Sequence, residues 1–218
     1  MKNEQVKETS RQSHFFAYIS KIRWIIRWGL KRNAIPENVM EHSWEVSTIA
    51  HAMALISNKR FGGQYDANLV ATTALYHDVS EVITGDMPTP IKYHSAGMQK
   101  AFKDVEIQAE RELIGLLPDD LKEDFTSLVV TSEISPDILR IIKGADTVAA
   151  FLKCQEELKA GNSEFSKAAE DIAARLSGFN MPEVNAFLEI FAPSYKLTLD
   201  ELLNGGEKVR TLPLHQSR

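Results

Sequence analysis

Cysteine is almost absent. Cys154 is the only one among 218 residues, so no disulfide can form within the chain, and a reducing cytoplasm is the expected setting. No uninterrupted apolar run is long enough to cross a bilayer, so a membrane-spanning protein is not expected. The opening stretch MKNEQVKETSRQS is polar and lacks the apolar centre of a secretory signal, which argues against export. Excess positive charge is missing as well: the formal net charge is −5. A broad phosphate-backbone footprint is therefore not expected, and a nucleic-acid polymer is excluded as a partner. A small anion held by one or two local cations remains compatible with that charge. Strand signals are scarce, with no long alternating run and no Asn-Gly turn between two such runs. Internal repeats and low-complexity tracts are also missing.

What is present is the helical period. With 44% hydrophobic and 25% charged residues, the chain has the composition of an ordinary globular domain, and its length suits one core. The segment SHFFAYISKIRWIIRWG sets Phe15, Ile19, Ile22 and Ile26 on one stripe, with Ser13 as cap and Gly29 as stop, and reads as a first helix. KRNAIPEN reads as a loop. VMEHSWEVSTIAHAMALIS forms a second helix capped by Asn38. DANLVATTALYHDVSEVI forms a third, opened by Asp66 and closed near Gly85. The two prolines of GDMPTP forbid helix after it. Further helices are expected over AGMQKAFKDVEIQAERELIGLL, PDDLKEDFTSLVVTS and SPDILRIIKGADTVAAFLKCQEELKAG, the last with Ser135 as cap, Pro136 in the first turn and Gly161 as stop. Two or three shorter helices follow, from about Glu164 to Leu203. The expectation is an all-α fold: a single domain over residues 13–204 between flexible tails at 1–12 and 205–218.

Within this pattern the stretch ALYHDVSEVITGDMPTP is anomalous. An apolar helix ends in His77, Asp78 and Glu81, with Asp86 just beyond. Buried charge is costly unless it is paired or bound to a metal. Two other helices add His42 and Asp146, the latter in the apolar setting IIKGADTVAAF. Two imidazoles and two carboxylates make a mixed nitrogen and oxygen donor set, which suits a transition metal such as Mn, Fe, Co or Zn. Adjacent helical residues diverge by about 100°, so His77 and Asp78 can share a metal only if it sits between them. Taken singly, each residue has an ordinary reading: a satisfied core histidine, a local hydrogen-bonding aspartate, an arginine complementing a helix C-terminus at Arg27, a Trp24–Trp28 pair in a core or dimer surface, a solvated Glu81, a turn residue at Asp86.

The ordered set His42, His77-Asp78 and Asp146 resembles the HD-domain metal phosphohydrolases, and more closely their bacterial 5′-deoxynucleotidase type. The resemblance rests on SHFFAYISKIRWIIRW, ENVMEHSWEV, LYHDVSEVITGDMPTPIKY, KGADTVAAFLKCQEELKAGN and LEIFAPSYKLTLDE, and covers the chain from about Ser13 to Glu201. One departure is Met40, where relatives often carry a small residue before the Glu-His pair; a reshaped pocket wall is expected there.

The resemblance implies an HD-type helical domain whose His42, His77, Asp78 and Asp146 would bind one divalent metal per chain, with Co, Mn, Cu or Zn all compatible. The substrate would be a deoxyribonucleoside 5′-monophosphate. Arg27 would hold its 5′-phosphate, Trp28 would contact the nucleotide, and Asp86, Met87, Pro88 and Thr89 would line the pocket, with Asp78 and Asp146 also facing the substrate. Glu81, four residues after His77, would support the site or orient water. Either Glu81 or Asp86 would serve proton transfer. Relatives are homodimers. Two other functions compete: an HD hydrolase acting on a triphosphate or cyclic nucleotide, and a non-catalytic nucleotide-binding scaffold. A second metal site lacks ligands, because His51 lies nine residues after His42, about 180° around the same helix.

Overall fold

The structure is a computed structural model that describes residues 12–203; both expected tails lie outside that range apart from residue 12. Helices are α1 (Phe15–Ile19), α2 (Val39–Arg60), α3 (Ala67–Leu75), α4 (Glu81–Thr84), α5 (Thr89–Lys92), α6 (Ala96–Gly115), α7 (Lys122–Val129), α8 (Pro136–Lys159), α9 (Ser166–Gly178), α10 (Pro182–Phe191) and α11 (Leu199–Leu203). Short 3₁₀ turns join several of them. Among the described residues no strand forms, and Ile26 and Asn38 make an isolated antiparallel bridge. The all-α expectation holds.

Two long helices, α2 and α8, make the centre. Val46, Ile49, Ala50 and Met53 of α2 belong to the same buried cluster as Ile141, Ala145, Val148 and Leu152 of α8, joined by residues of α3, α9 and α10. Gly144 is what lets α8 sit so close: a Cβ there would lie 3.0 Å from Met53 and Met181 methyls and 3.2 Å from Val184. Asp146 follows two residues later, so this contact sets its depth. A second, smaller cluster of Phe15, Val79, Leu113, Leu117 and Val129 packs α1, α6 and α7 against the segment after α3.

Three local departures from the sequence pattern all fall beside the ionisable residues. The first helix stops early: α1 ends at Ile19 and a 3₁₀ turn runs from Ser20 to Trp24. Ile26 is half exposed, and Arg27 donates its backbone N–H to Glu37 O at 2.9 Å while Val39 N–H reaches Ile25 O at 3.0 Å. A cross-chain bridge has replaced helical pairing, so Arg27 and Trp28 lie in a loop instead of at a helix C-terminus. The third helix also breaks: α3 ends at Leu75, and i→i+3 backbone bonds wind residues 76–80 into turns before α4. The His77 imidazole takes over a carbonyl there, its Nδ1 lying 2.7 Å from Ala74 O. Polar side chains that bond locally to the backbone compete with helix in this way. Finally, helix does form inside the proline-containing stretch, as α5, because Pro90 falls in its first turn, where a missing N–H is no loss.

The capping expectation at Asn38 holds fully. Its side chain accepts from Glu41 N at 3.0 Å, and the Glu41 carboxylate accepts from Asn38 N at 3.2 Å, a reciprocal capping box.

Candidate active site

The α3 break, the α2 start and the middle of α8 converge. His42 is buried at 1% exposure; its Nε2 lies 3.3 Å from Asp146 Oδ1 and 3.6 Å from Asp78 Oδ2. His77 Nε2 lies 3.1 Å from Asp78 Oδ2. His42, His77 and Asp146 each offer one donor atom within 4.8 Å of the others. The break at Tyr76 resolves the angular problem posed by adjacent helical residues: outside a regular helix, His77 and Asp78 turn to one place.

Whether a metal fits can be judged from the donors themselves. Both histidine Nε2 atoms are buried and lack hydrogen-bond partners. Such groups are costly unless a ligand completes them. His77 Nδ1 is engaged by Ala74 O at 2.7 Å, and His42 Nδ1, also without a hydrogen bond, lies 3.3 Å from Glu37 Oε1. A carboxylate or carbonyl behind an imidazole fixes which nitrogen faces a metal. The residues fit a divalent ion, which His42, His77 and Asp146 could hold with Asp78 alongside.

Charges are distributed around this floor. Arg27 Nε lies 3.1 Å from Glu37 Oε1, and its Nη1 donates to Asp78 Oδ2 at 3.3 Å. Burial would pull the guanidinium down, yet Asp78, Glu37, Asp146 and Asp86 hold it above its ordinary value, so it stays charged. Burial and Arg27 likewise oppose protonation of His42, but Asp146 and Glu37 outweigh them and raise it to about 9. Burial would also raise Asp78 and Asp146. The His77 imidazole with His42 and Arg27 holds Asp78 low, and His42 with Lys143 does the same for Asp146. Glu81 goes the other way: burial, then Asp78 and Asp86, push it up to about 10, and its Oε2 has no partner. Asp86 is raised by burial, against the pull of Arg27.

Several of these groups border a cleft of about 740 Å³, while Glu37 and His42 border a neighbouring hollow of about 530 Å³. Arg27, Trp28, Asp78, Glu81, Asp86, Met87, Pro88, Thr89 and Asp146 all border the larger cleft. Trp28 does not stack on Trp24, which is 74% exposed. Its ring meets Phe165 edge-on at 5.2 Å, and its Nε1–H donates to Glu37 Oε2 at 3.3 Å. Met40, expected to reshape this pocket, borders the 530 Å³ hollow instead, together with Ile35, Pro36, Trp44 and the site residues Glu37 and His42.

The family model for YfbR-like 5′-deoxynucleotidases matches residues 14–195. The chain belongs to this family. It is 46% identical over 192 residues to a 5′-deoxynucleotidase of Vibrio vulnificus, covering 88% of this chain and 99% of that protein. It is 43% identical to 5′-deoxynucleotidase YfbR of Shigella boydii, over 88% of this chain and 96% of the relative. Among solved structures, an HD-domain phosphohydrolase of Listeria innocua superposes with a TM-score of 0.73 at 23% identity, over 88% of this chain and 94% of that one. The HD phosphohydrolase DatZ of cyanophage S-2L, bound to dA and one catalytic Zn²⁺, gives 0.57 at 20% identity, over 82% and 96%. Both confirm the HD-type fold.

Three residues with evident work went unmarked in the sequence. Glu37 accepts from Trp28 Nε1 and faces Arg27 Nε and His42 Nδ1 at 3.1 and 3.3 Å; its only signal is a charge one residue before a helix cap. Lys143 lies one turn before Asp146 and reaches it at 2.8 Å. Glu157, fully buried on α8, accepts from Ala34 N at 2.8 Å and Ile35 N at 3.0 Å, fixing the loop that carries Glu37. A Lys153–Glu157 pair at i,i+4 on an otherwise apolar helix face was the available signal for it.

Proposed function

We infer that this protein is a metal-dependent 5′-deoxynucleotidase, hydrolysing deoxyribonucleoside 5′-monophosphates to deoxynucleoside and phosphate. The observation that carries the reading is the pair of unpartnered histidine Nε2 atoms facing a carboxylate at the floor of a cleft bordered by the Arg27 guanidinium. A divalent metal bound there by His42, His77, Asp78 and Asp146 would supply Lewis-acid activation of water and charge neutralisation at phosphate.

The chain's own residues would do the rest. Arg27 presents a charged planar fork that matches two phosphate oxygens, and Glu37 and Asp78 hold it in orientation. In hydrolysis a water oxygen bonds to phosphorus, the bond from phosphorus to the 5′ oxygen breaks, and that oxygen must gain a proton. Glu81 is assigned as the proton holder on geometry: it opens α4, one turn from His77, and its buried Oε2 has no hydrogen-bond partner among the described residues. Asp86, with Met87, Pro88 and Thr89, is assigned to the sugar side of the cleft. Trp28 closes the wall beside the sugar.

We place the enzyme in the cytoplasm as a homodimer; exposed apolar side chains such as Trp24 and Trp44 support an interface. No described helix is long and apolar enough to cross a membrane. Phosphate release from a panel of deoxy- and ribonucleoside monophosphates, triphosphates and cyclic nucleotides, with metal added or chelated, tests the activity. Release from the deoxymonophosphates that stops on chelation is expected; no release from any of them with metal present overturns the reading.

A further inference from the structure

Five carboxylates surround the floor of the cleft or stand just behind it: Glu37, Asp78, Glu81, Asp86 and Asp146. A phosphomonoester arrives there as a dianion. Its three terminal oxygens need positive partners, and the Arg27 fork serves at most two of them. The cleft holds other cations, but most are committed elsewhere. Lys92 pairs with Glu106 at 2.8 Å, Lys31 with the Glu164 backbone oxygen at 2.9 Å, and Lys167 with Asp171 at 2.8 Å. Two of the cleft's cations touch a carboxylate of the histidine cluster: Arg27 through Asp78, and Lys143 through Asp146. The contacts run in order Arg27, Asp78, His42, Asp146, Lys143, so the two cations flank the cluster from opposite ends.

Their settings differ in a useful way. Arg27 is 13% exposed and pinned by two carboxylates. The Lys143 side chain is 60% exposed, borders the cleft, and spends one hydrogen bond on Asp146 Oδ2. An ammonium has three donors, so two remain. Asp146 is divided in the same sense: Oδ1 faces His42 Nε2 at 3.3 Å, and Oδ2 faces Lys143. Lys143 therefore leaves the donor atom of Asp146 free while keeping its own head beside the metal position.

We propose that Lys143 is the second phosphate-binding cation of the site, clamping the substrate's phosphate from the α8 side opposite Arg27. The inference rests on the phosphomonoesterase reading and adds a residue to it. A flexible lysine suits this place better than an arginine, because it can swing from Asp146 to the arriving phosphate without a second fork to satisfy.

The test uses the metal-loaded enzyme and inorganic phosphate, the reaction product, as probe. Phosphate affinity is measured as a calorimetric Kd and as a product-inhibition Ki for wild type, Lys143→Met and Lys143→Arg, with metal affinity determined in parallel. Lys143→Met should weaken phosphate binding and raise KM on the order of 10- to 100-fold, the scale of one charged hydrogen bond, while metal affinity stays near wild type. Lys143→Arg should recover most of the phosphate affinity. The side chain is largely exposed, so melting temperatures should not change. Unchanged phosphate binding in Lys143→Met overturns the proposal. So does a loss that follows weakened metal binding and vanishes at saturating metal, since Lys143 would then act only by orienting Asp146. A wild type that releases no phosphate from deoxynucleotides fails the functional reading instead, which is a separate outcome.

Discussion

Helix α8 carries two ionic groups about three turns apart, one at the half-buried Asp146 and one at the buried Glu157, and they are built oppositely. At Glu157 every oxygen is engaged: Ala34 N, Ile35 N, Asn162 Nδ2 and the Lys153 ammonium all donate to it, and Lys153 also donates to Ile35 O. At Asp146 the neighbouring histidines keep buried nitrogens with no partner. A native chain retains unsatisfied buried polar atoms at a cost, and does so where something else completes them. The closed group holds the 31–38 loop in place; the open group presents donor atoms that no side chain completes. The distinction separates structural charge from functional charge on one helix.

The sharpest way to break that comparison is to remove a donor from the open group. His77→Ala and Asp146→Asn should each lower turnover by at least the ~100- to 1000-fold that follows loss of one preorganised electrostatic group. Stability of the metal-free protein should change by only about 1–2 kcal/mol, because His77→Ala gives up one hydrogen bond to Ala74 O and Asp146→Asn an ion pair with the exposed Lys143. Metal content, kcat and urea midpoint, measured together, check this. Full metal content with full turnover in Asp146→Asn would remove the assignment.

The closed group should respond in the opposite sense. Glu157→Gln leaves Lys153 buried without its counter-charge and should cost about 3–5 kcal/mol of stability. The pH dependence has a definite sign. The Lys153 ammonium, Asn162 and two backbone amides outweigh burial and pull Glu157 from 4.5 down to about 2 on folding. Its contribution is therefore complete above pH 4.5 and disappears as pH falls through 2. The stability gap between wild type and Glu157→Gln, followed by urea denaturation, should narrow steadily below pH 5. A gap that stays constant down to pH 2 would mean that the carboxylate's charge is not what holds the loop.

Arg27 joins the two groups, since the loop fixed by Glu157 presents the Glu37 that orients it. Arg27→Ala should raise the barrier by about 2–4 kcal/mol, the range for losing one preorganised donor set. Arg27→Lys should recover only part, because the charge remains and the fork is gone. Both variants should fold. Values of kcat/KM near wild type for both would reduce Arg27 to an ordinary surface cation.

Much of this was legible in the residues. Helical period and caps gave the all-α architecture, and Asn38, Asp66, Pro136 and Gly161 mark real boundaries. The donor residues stood out because ionisable groups in apolar helices are costly. What stayed hidden were the interruptions. Apolar spacing through Ile26 and Ile83 continues smoothly, while the α-helices stop at Ile19 and Leu75: cross-chain bonds to Glu37 and Val39 follow the first break, and the local bond of the His77 ring to Ala74 O marks the second. Spacing reports which face is apolar; it carries no information about a carbonyl claimed from elsewhere in the chain. Glu37 and Glu157 were missed for the same reason: their partners lie on a loop whose course only the fold determines.

The smallest expected effect concerns the wall beside the sugar. Trp28 has φ of +60°, a left-handed conformation that is unfavourable for a bulky residue. It is held there by the edge of Phe165 and by its Nε1–H bond to Glu37, the carboxylate that also orients Arg27. The ring is thereby tied to Arg27 through Glu37 and borders the cleft. A ribonucleotide brings one additional hydroxyl. Pressed against an indole face with no partner, that hydroxyl costs about 1–3 kcal/mol, roughly ten- to hundredfold in selectivity. Wild type should therefore favour dAMP over AMP and dUMP over UMP, with little distinction among bases. Trp28→Ala should lose most of the sugar preference, chiefly by improving the ribonucleotides, while Trp28→Phe, which keeps an aromatic wall without the N–H, should retain it. The ratio of kcat/KM values for each pair reads the effect, and melting temperatures show whether loss of the Phe165 contact has disturbed the fold. Equal hydrolysis of both sugars by wild type, or an intact preference in a folded Trp28→Ala, would move the source of discrimination away from this residue and toward the loop of Asp86 to Thr89.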